Sequence, residues 1–105
     1  MKIGNIYAGI PLSLEKEIFE QLAGNEYIAI ERILSKGQKS PPSGWYDQEK
    51  NEWVLVLKGK AILTFERQKK IMLNEGDFIN IPPHMKHKVE WTDPAKETIW
   101  LVVHY

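Results

Sequence analysis

Five polar side chains that can bind a metal or move a proton fall into two short stretches of the sequence. Tyr46, Gln48 and Glu52 lie in the first stretch, and His84 and His87 lie in the second. Carboxylate, imidazole and amide groups coordinate divalent cations, while imidazole and phenol groups also transfer protons. These residue types indicate a binding or acid–base site, provided that the fold brings the two stretches together.

Glu52 is predicted to stand at the mouth of a buried β-strand. Residues 53–57 form a continuous apolar run, with a polar turn before it and Gly59 shortly after it. A run of this length, rich in β-branched and aromatic residues, is typical of a strand that is buried on both faces. Side chains alternate along a strand, so Glu52 shares a face with Val54 and Val56. Since an unpaired buried carboxylate is costly, Glu52 is expected to have a polar partner.

The spacing of apolar residues predicts an all-β domain with one short N-terminal helix. After Ser13, a candidate helix cap, four apolar residues have near-helical spacing, which predicts a helix over residues 14–23: Leu14, Ile18, Phe19 and Leu22. A period of two then predicts strands over residues 27–34, 53–57, 60–66, 71–73, 78–81, 88–91 and 98–105, with a charged hairpin tip over 67–70 and a further extended segment that ends near Gln48. About eight short strands joined by turns favour a closed β-sandwich or barrel.

The first of the two stretches resembles the first motif of the cupin family. That motif is a glycine, five residues, His-x-His, three or four residues, a glutamate, six residues and a glycine. Glu52 and Gly59 have this spacing. Tyr46 and Gln48 stand at the two histidine positions, and Ser40 stands at the opening glycine position.

The second stretch resembles the second cupin motif, which is a glycine, five residues, Pro-x-Gly, two residues, a histidine, three residues and an asparagine. Gly76, Pro82 and His87 match this pattern, whereas His84 and Trp91 replace its second glycine and its asparagine. The resemblance covers roughly residues 28 to 105. It implies a double-stranded β-helix, or jelly roll, in a single domain spanning residues 1–105. In this division, residues 1–26 form an arm with the helix and residues 27–105 form the barrel.

The resemblance also implies a metal site formed by Gln48, Glu52 and His87, with zinc, iron, nickel or manganese as the divalent ion. A glutamine oxygen binds such ions less strongly than imidazole, although the cupin-type phosphomannose isomerases use a glutamine in this way. Gln48 has the alternative role of a hydrogen-bonding group in the cavity. If the chain is an enzyme, the resemblance implies a metal-dependent oxygenase or isomerase that acts on a small molecule.

Three further residues have open roles. Tyr46 either donates a hydrogen bond or a proton in the cavity, or forms part of its aromatic wall. His84 becomes a cavity residue or fourth ligand if the turn at Pro82-Pro83 points it inward. His104, near the end of the last strand, is expected to serve in packing.

Composition excludes several other functions. The chain has no cysteine, which rules out disulfides, thiolate metal sites and thiol nucleophiles. Lys plus Arg number 14 and Asp plus Glu number 14. The chain therefore lacks the net positive charge that would indicate binding to nucleic acid or to a membrane. The expected setting is the cytoplasm, and the expected partners are a small-molecule ligand and a second copy in a homodimer. Alternatives to metal binding are a metal-free module for a carbohydrate or organic acid, and a structural or regulatory dimer without catalysis.

Overall fold

The fold consists of two antiparallel β-sheets with the hydrophobic core between them. The computed structural model describes residues 1–67 and 69–105. The strands in chain order are β1 (Ile18–Gly24), β2 (Ala29–Ser35), β3 (Glu52–Lys58), β4 (Ala61–Phe65), β5 (Lys69–Leu73), β6 (Phe78–Ile81), β7 (His87–Thr92) and β8 (Thr98–His104). The larger sheet has the order β1-β2-β8-β3-β6, and the smaller sheet has the order β5-β4-β7.

The predicted strands agree with the observed ones to within two residues at each end, and residues 78–81 agree fully. Period-two alternation succeeds here because each strand buries one face between the sheets. The extended segment near Gln48 is shorter than predicted, since only Tyr46 pairs, in an isolated bridge with His87. Part of the predicted hairpin tip, Gln68, lies outside the described residues.

The prediction of an N-terminal helix over residues 14–23 is wrong. Ile18–Gly24 instead forms β1, which pairs with β2 at the edge of the larger sheet. Leu14, Ile18 and Leu22 are four residues apart, a spacing that places side chains on one face of a helix and equally on one face of a strand. Pairing with β2 resolves this ambiguity in favour of the strand. Among the described residues no helix is present, and hence none that is long and apolar enough to cross a membrane.

The inner faces of the two sheets meet in one apolar cluster. Its buried members come from both sheets: Val54, Val56, Ala61, Leu63, Phe65, Leu73, Ile81, Trp100 and Val102. On β3 the buried positions are Val54 and Val56, while the outward-facing residues between and beside them are half-buried. The prediction that this strand is buried on both faces therefore holds only for its inner face.

The N-terminal arm covers part of the outer face of the larger sheet. Leu14 packs there with Leu34 and Ile99 in a second buried cluster. Arg32, which is 5% exposed, fastens the arm: its Nη1 donates hydrogen bonds to the carbonyls of Ile6 and Ala8. Its Nη2 binds both carboxylate oxygens of Glu20 at 2.9 Å. The guanidinium thus ties the arm, β1 and β2 together.

Candidate functional site

A cavity of about 260 Å³ opens at one end of the space between the sheets, and we call it the first cavity. Its apolar wall comes from Phe19, Ile33, Val54, Leu63, Ile81, Val89, Trp100 and Val102. Its polar groups are Glu17, Glu31, Tyr46, Gln48, Glu52, His87 and His104. A mostly apolar hollow with a few convergent polar groups is the usual form of a small-molecule site.

His87 is held in a fixed position on the wall of this cavity. It begins β7 and is 4% exposed. Its backbone pairs with Phe65 on one side and with Tyr46 on the other, and its ring lies 5.9 Å and 5.7 Å from their rings. Packing on both sides leaves the imidazole little freedom to turn.

Glu52 and His87 form a buried pair. Glu52 Oε1 lies 2.9 Å from His87 Nε2 and accepts a hydrogen bond from Gln48 Nε2 at 2.7 Å. On the other side of the ring, His87 Nδ1 lies 2.9 Å from the Met85 carbonyl, which can only accept, so Nδ1 carries a proton. A hydrogen bond between Nε2 and Oε1 requires a second proton between these atoms, and with that proton on the ring the pair is an imidazolium with a carboxylate.

The surroundings of His87 favour this charged form. Burial lowers the pKa of His87, but the hydrogen bond to Glu52, the hydrogen bond to the Met85 carbonyl and the charge of Glu52 together outweigh it. The pKa of His87 therefore lies above its ordinary value of 6.5. An imidazolium on a cavity wall is a proton donor near neutral pH, and the adjacent carboxylate is a proton acceptor.

The structure brings four of the five predicted side chains to one cavity. Gln48 and His87 each lie within hydrogen-bonding distance of Glu52 Oε1, and Tyr46 lies beside them. His84 does not join this group. Its backbone has a positive φ of 61°, and its Nδ1 lies 2.8 Å from a carboxylate oxygen of Asp47.

His84 instead lines a second cavity of about 420 Å³, which is bordered by a different set of charges. Phe65, Ile71, Ile79 and Met85 are its apolar members. Its ionisable residues besides His84 are Glu66, Arg67, Lys69 and Lys86. The two cavities therefore differ in charge: the described Lys and Arg side chains among the lining residues all belong to the second cavity, whereas three described carboxylates line the first.

Sequence reasoning missed a second histidine–glutamate pair in the first cavity. His104 Nε2 lies 2.8 Å from Glu31 Oε1, and the two side chains are 22% and 23% exposed. Strand parity could have found His104, since it alternates in step with Trp100 and Val102, both buried on the inner face of β8. Likewise, Glu31 lies two residues before Ile33 on β2, so the two side chains share the inner face of that strand.

Glu17 is the third carboxylate that lines this cavity, and sequence reasoning did not identify it. It accepts a hydrogen bond from Ser35 Oγ at 2.7 Å, and Ser35 Oγ in turn accepts one from Trp100 Nε1 at 3.1 Å. Ser35 is fully buried. No motif or apolar periodicity marks Glu17, because it precedes β1 and is placed by the pairing of that strand with β2.

The donor atoms at Glu52 fit a divalent ion only in part. The proton on His87 Nδ1 is held by Met85, so Nε2 is the nitrogen that faces the cavity, as in histidines that bind metals. Gln48, Glu52 and His87 would supply one amide oxygen, one carboxylate and one imidazole. Within residues 1–67 and 69–105, however, no group of three or more His, Cys, Asp or Glu side chains is arranged to hold a metal.

Comparison with known families and proteins identifies the family and the fold. A family model described as "Cupin domain" matches residues 31–104. A search of curated proteins found no match to the chain. Among solved structures, a protein from Ralstonia eutropha JMP134, named a "putative mannose-6-phosphate isomerase", is 41% identical, with a TM-score of 0.94 over 99% of this chain and 97% of its own.

Two more distant structures show the fold. A protein of the cupin superfamily from Desulfitobacterium hafniense is 20% identical, with a TM-score of 0.74 over 90% of this chain and 82% of its own. An RmlC-like cupin family protein from Methanocaldococcus jannaschii, described as a double-stranded β-helix, is also 20% identical, with a TM-score of 0.70 over 91% and 85% of the two chains. The predicted double-stranded β-helix fold is thus confirmed, whereas the α-helix predicted for the N-terminal segment is not present among the described residues.

Proposed function

We propose that this chain, which belongs to the cupin family, binds a small polar molecule in the first cavity through the Glu52–His87 pair. The supporting observation is a buried pair of opposite charges on a cavity wall that is otherwise mostly apolar. Burying two charges costs stability, and an apolar pair of similar volume would serve the fold as well or better. A role in ligand binding explains why the polar pair stands there.

The size of the cavity limits the ligand. At about 260 Å³ it lies below the range of roughly 300–1,000 Å³ that is typical of sites for drug-sized molecules. A single sugar or a small organic molecule is therefore the expected occupant. Gln48 and Tyr46 add an amide and a phenol to the pair, and both groups can donate and accept hydrogen bonds.

The pair also has the chemistry for proton transfer. His87 Nε2–H is an acid with a raised pKa, and Glu52 is a base 2.9 Å away. The Ralstonia eutropha relative carries the name of an isomerase, and sugar isomerisation moves one proton between neighbouring carbons and another between neighbouring oxygens. If the ligand is turned over, a proton-transfer isomerisation is the reaction that these residues suit.

A thermal-shift screen of monosaccharides, polyols and small carboxylic acids tests the binding proposal. Ligands that raise the melting temperature are then titrated against Glu52→Ala and His87→Ala. We expect affinity to fall roughly tenfold or more in each variant, because each removes a hydrogen bond to a charged partner. His84→Ala is the matched control, since His84 lies outside the first cavity. Equal affinity in all three variants would contradict the proposal.

A divalent ion held by Gln48, Glu52 and His87 is the second candidate, with zinc, iron, nickel or manganese as the ion. The hydrogen bond from His87 Nδ1 to Met85 favours it, since this contact directs Nε2 into the cavity. The ion would replace the proton between Nε2 and the carboxylate, and it would act as a Lewis acid toward a bound oxygen. The incomplete set of protein ligands would leave positions open for water or substrate.

Chelation distinguishes the two candidates. Stabilisation by a ligand that persists in excess EDTA supports direct binding, whereas stabilisation that disappears and returns with zinc or manganese supports the metal-dependent site. Metal analysis of protein purified without a histidine tag gives an independent measure. Wild-type metal content in both Glu52→Ala and His87→Ala would rule out this set of ligands.

A further inference from the structure

The first cavity contains two histidine–glutamate pairs rather than one. Glu52 and His104 are directly opposite each other on β3 and β8, and Glu31 lies diagonal to His104 on β2. His104 Nε2 and Glu31 Oε1 are 2.8 Å apart, as close as the atoms of the Glu52–His87 pair. Glutamate and histidine thus alternate across the cavity in the order Glu31, His104, Glu52, His87.

We propose that Glu31 and His104 form the second half of the ligand site, and that the ligand is an uncharged polyhydroxylated molecule held by one histidine–glutamate pair at each end. This inference rests on the proposed function, because it assumes that the first cavity binds a small polar molecule. It adds two binding residues and a ligand class.

The spacing of the strands suits a ligand of this size. Glu31 and Glu52 stand on β2 and β3, which are separated by β8 alone. Neighbouring strands lie about 4.8 Å apart, so the two backbones are roughly 10 Å apart. His104 stands on β8 between these two positions, so the space for a ligand is the cavity of about 260 Å³ that these side chains line, which suits a molecule of about one sugar ring.

The charges in the cavity argue against an anionic ligand. Three carboxylates line it, from Glu17, Glu31 and Glu52, and no described Lys or Arg side chain does. Even with both histidines protonated, the carboxylates outnumber the cations. A phosphate group would therefore meet net repulsion and lack the arginine or lysine that such groups ordinarily require.

The described lysine and arginine side chains that line a cavity belong to the second cavity. Arg67, Lys69 and Lys86 surround the second cavity, on the side of the molecule that His84 faces. A sugar phosphate, the ligand class suggested by the name of the Ralstonia eutropha relative, thus has its cationic partners at a different opening. The first cavity instead suits the unphosphorylated sugar or a related polyol.

Hydroxyl groups match the polar groups of the cavity. In each pair the imidazole Nε2 is engaged with the glutamate Oε1, so the carboxylates are the groups that accept hydrogen bonds from a ligand. The Tyr46 phenol and a ligand hydroxyl can each both donate and accept. The apolar wall, with Phe19 and Trp100, provides a surface for the C–H groups of such a ligand.

The three histidines of the chain make this inference testable by NMR. The imidazole signals of His84, His87 and His104 are followed during titration with D-mannose, D-glucose, D-fructose and sorbitol, and with the 6-phosphates of the three sugars. We expect at least one uncharged probe to shift the signals of both His87 and His104 and to leave His84 unchanged. Its 6-phosphate should bind the first cavity at least about tenfold more weakly, and a phosphate probe that shifts only His84 would agree with the charge argument.

Variants separate the second pair from the first. Glu31→Gln and His104→Gln should each weaken binding of the uncharged probe about tenfold, whereas His84→Gln should not change it. Glu17→Gln should reduce the ratio of the affinities for a sugar and for its 6-phosphate at least about threefold, because it removes one negative charge from the cavity.

Four results would overturn the inference, and only the last of them would also overturn the proposed function. A probe that shifts His87 but not His104, or a 6-phosphate that binds the first cavity as tightly as its parent sugar, would refute it and leave the proposed function intact. If no uncharged or phosphorylated probe shifts either cavity histidine, while a carboxylic acid from the thermal-shift screen does, the ligand class is wrong but the cavity still binds a small molecule. If nothing shifts either signal, the proposed function fails as well.

Discussion

The two ends of the space between the sheets are built from the same strands and have opposite characters. At one end, Val56 of β3 stands opposite Trp100 of β8, and both are buried. At the other end of the same two strands, Glu52 stands opposite His104. One end is packed with apolar side chains and the other keeps polar groups paired around a cavity. The difference indicates that the packed end supplies stability, whereas the polar end carries groups whose value lies in binding.

Removing the indole of Trp100, which stands opposite Val56 and also lines the first cavity, should have the largest effect on stability. Trp100 is 4% exposed, and its Nε1 donates a hydrogen bond to the fully buried Ser35. Trp100→Ala should lower the free energy of unfolding by about 3–5 kcal/mol, because it leaves a large void. Urea denaturation measures this change. Met72→Ala, at a residue that is 51% exposed, is the control and should cost less than about 1 kcal/mol.

Replacing both members of the Glu52–His87 pair by apolar residues should not destabilise the fold, although replacing Glu52 alone should. Glu52→Leu alone should destabilise the fold by about 2 kcal/mol at pH 6, since His87 loses the partner of its charge. Glu52→Leu combined with His87→Leu should recover that loss or exceed wild-type stability, and should abolish ligand binding. A double variant that is less stable than Glu52→Leu, measured by the same urea titration, would show that the pair stabilises the fold.

The charged pair should also make the stability of the fold depend on pH. The pKa of His87 is raised in the folded protein, so protonation stabilises the folded state. This contribution is complete below the ordinary value of 6.5 and is lost as the pH rises through the higher folded-state pKa. The free energy of unfolding should therefore decrease with rising pH over that window. His87→Gln should lack this component, and an identical pH profile in wild type and variant would refute its assignment to His87.

The smallest effect on stability is expected outside both ends, on the outer face of the larger sheet. Trp53 and Phe78 meet there with ring centroids 5.7 Å apart, and Phe78 is 64% exposed. The predicted homodimer remains a prediction, and this exposed aromatic pair is the surface on which it can be tested. Phe78→Ser should change the unfolding free energy of the monomer by less than about 1 kcal/mol. Light scattering after gel filtration should show a dimer for wild type and a monomer for the variant.

The sequence alone determined seven of the eight strands, β2 to β8, and half of the polar site. Alternation along β3 fixed the inward direction of Glu52, and the motif spacing identified His87 as a residue of the same cavity. The motif spacing also picked out Gly59, whose φ of 94° lies in the region that side chains rarely adopt. An added Cβ there would lie 2.5 Å from Thr98 Oγ1. These features depend on local chemistry, which is why they could be predicted.

Tertiary structure alone decided the N-terminal segment and the second pair. Residues four apart satisfy a helix and a strand equally, and only hydrogen bonding to β2 makes Ile18–Gly24 a strand. Glu31 and His104 are 73 positions apart in the chain (104 minus 31) and meet because β2 and β8 are neighbours in the sheet. His84 turns away because its backbone adopts a positive φ. Each outcome depends on which strands pair or on a single backbone angle, and neither is encoded in the spacing of residue types.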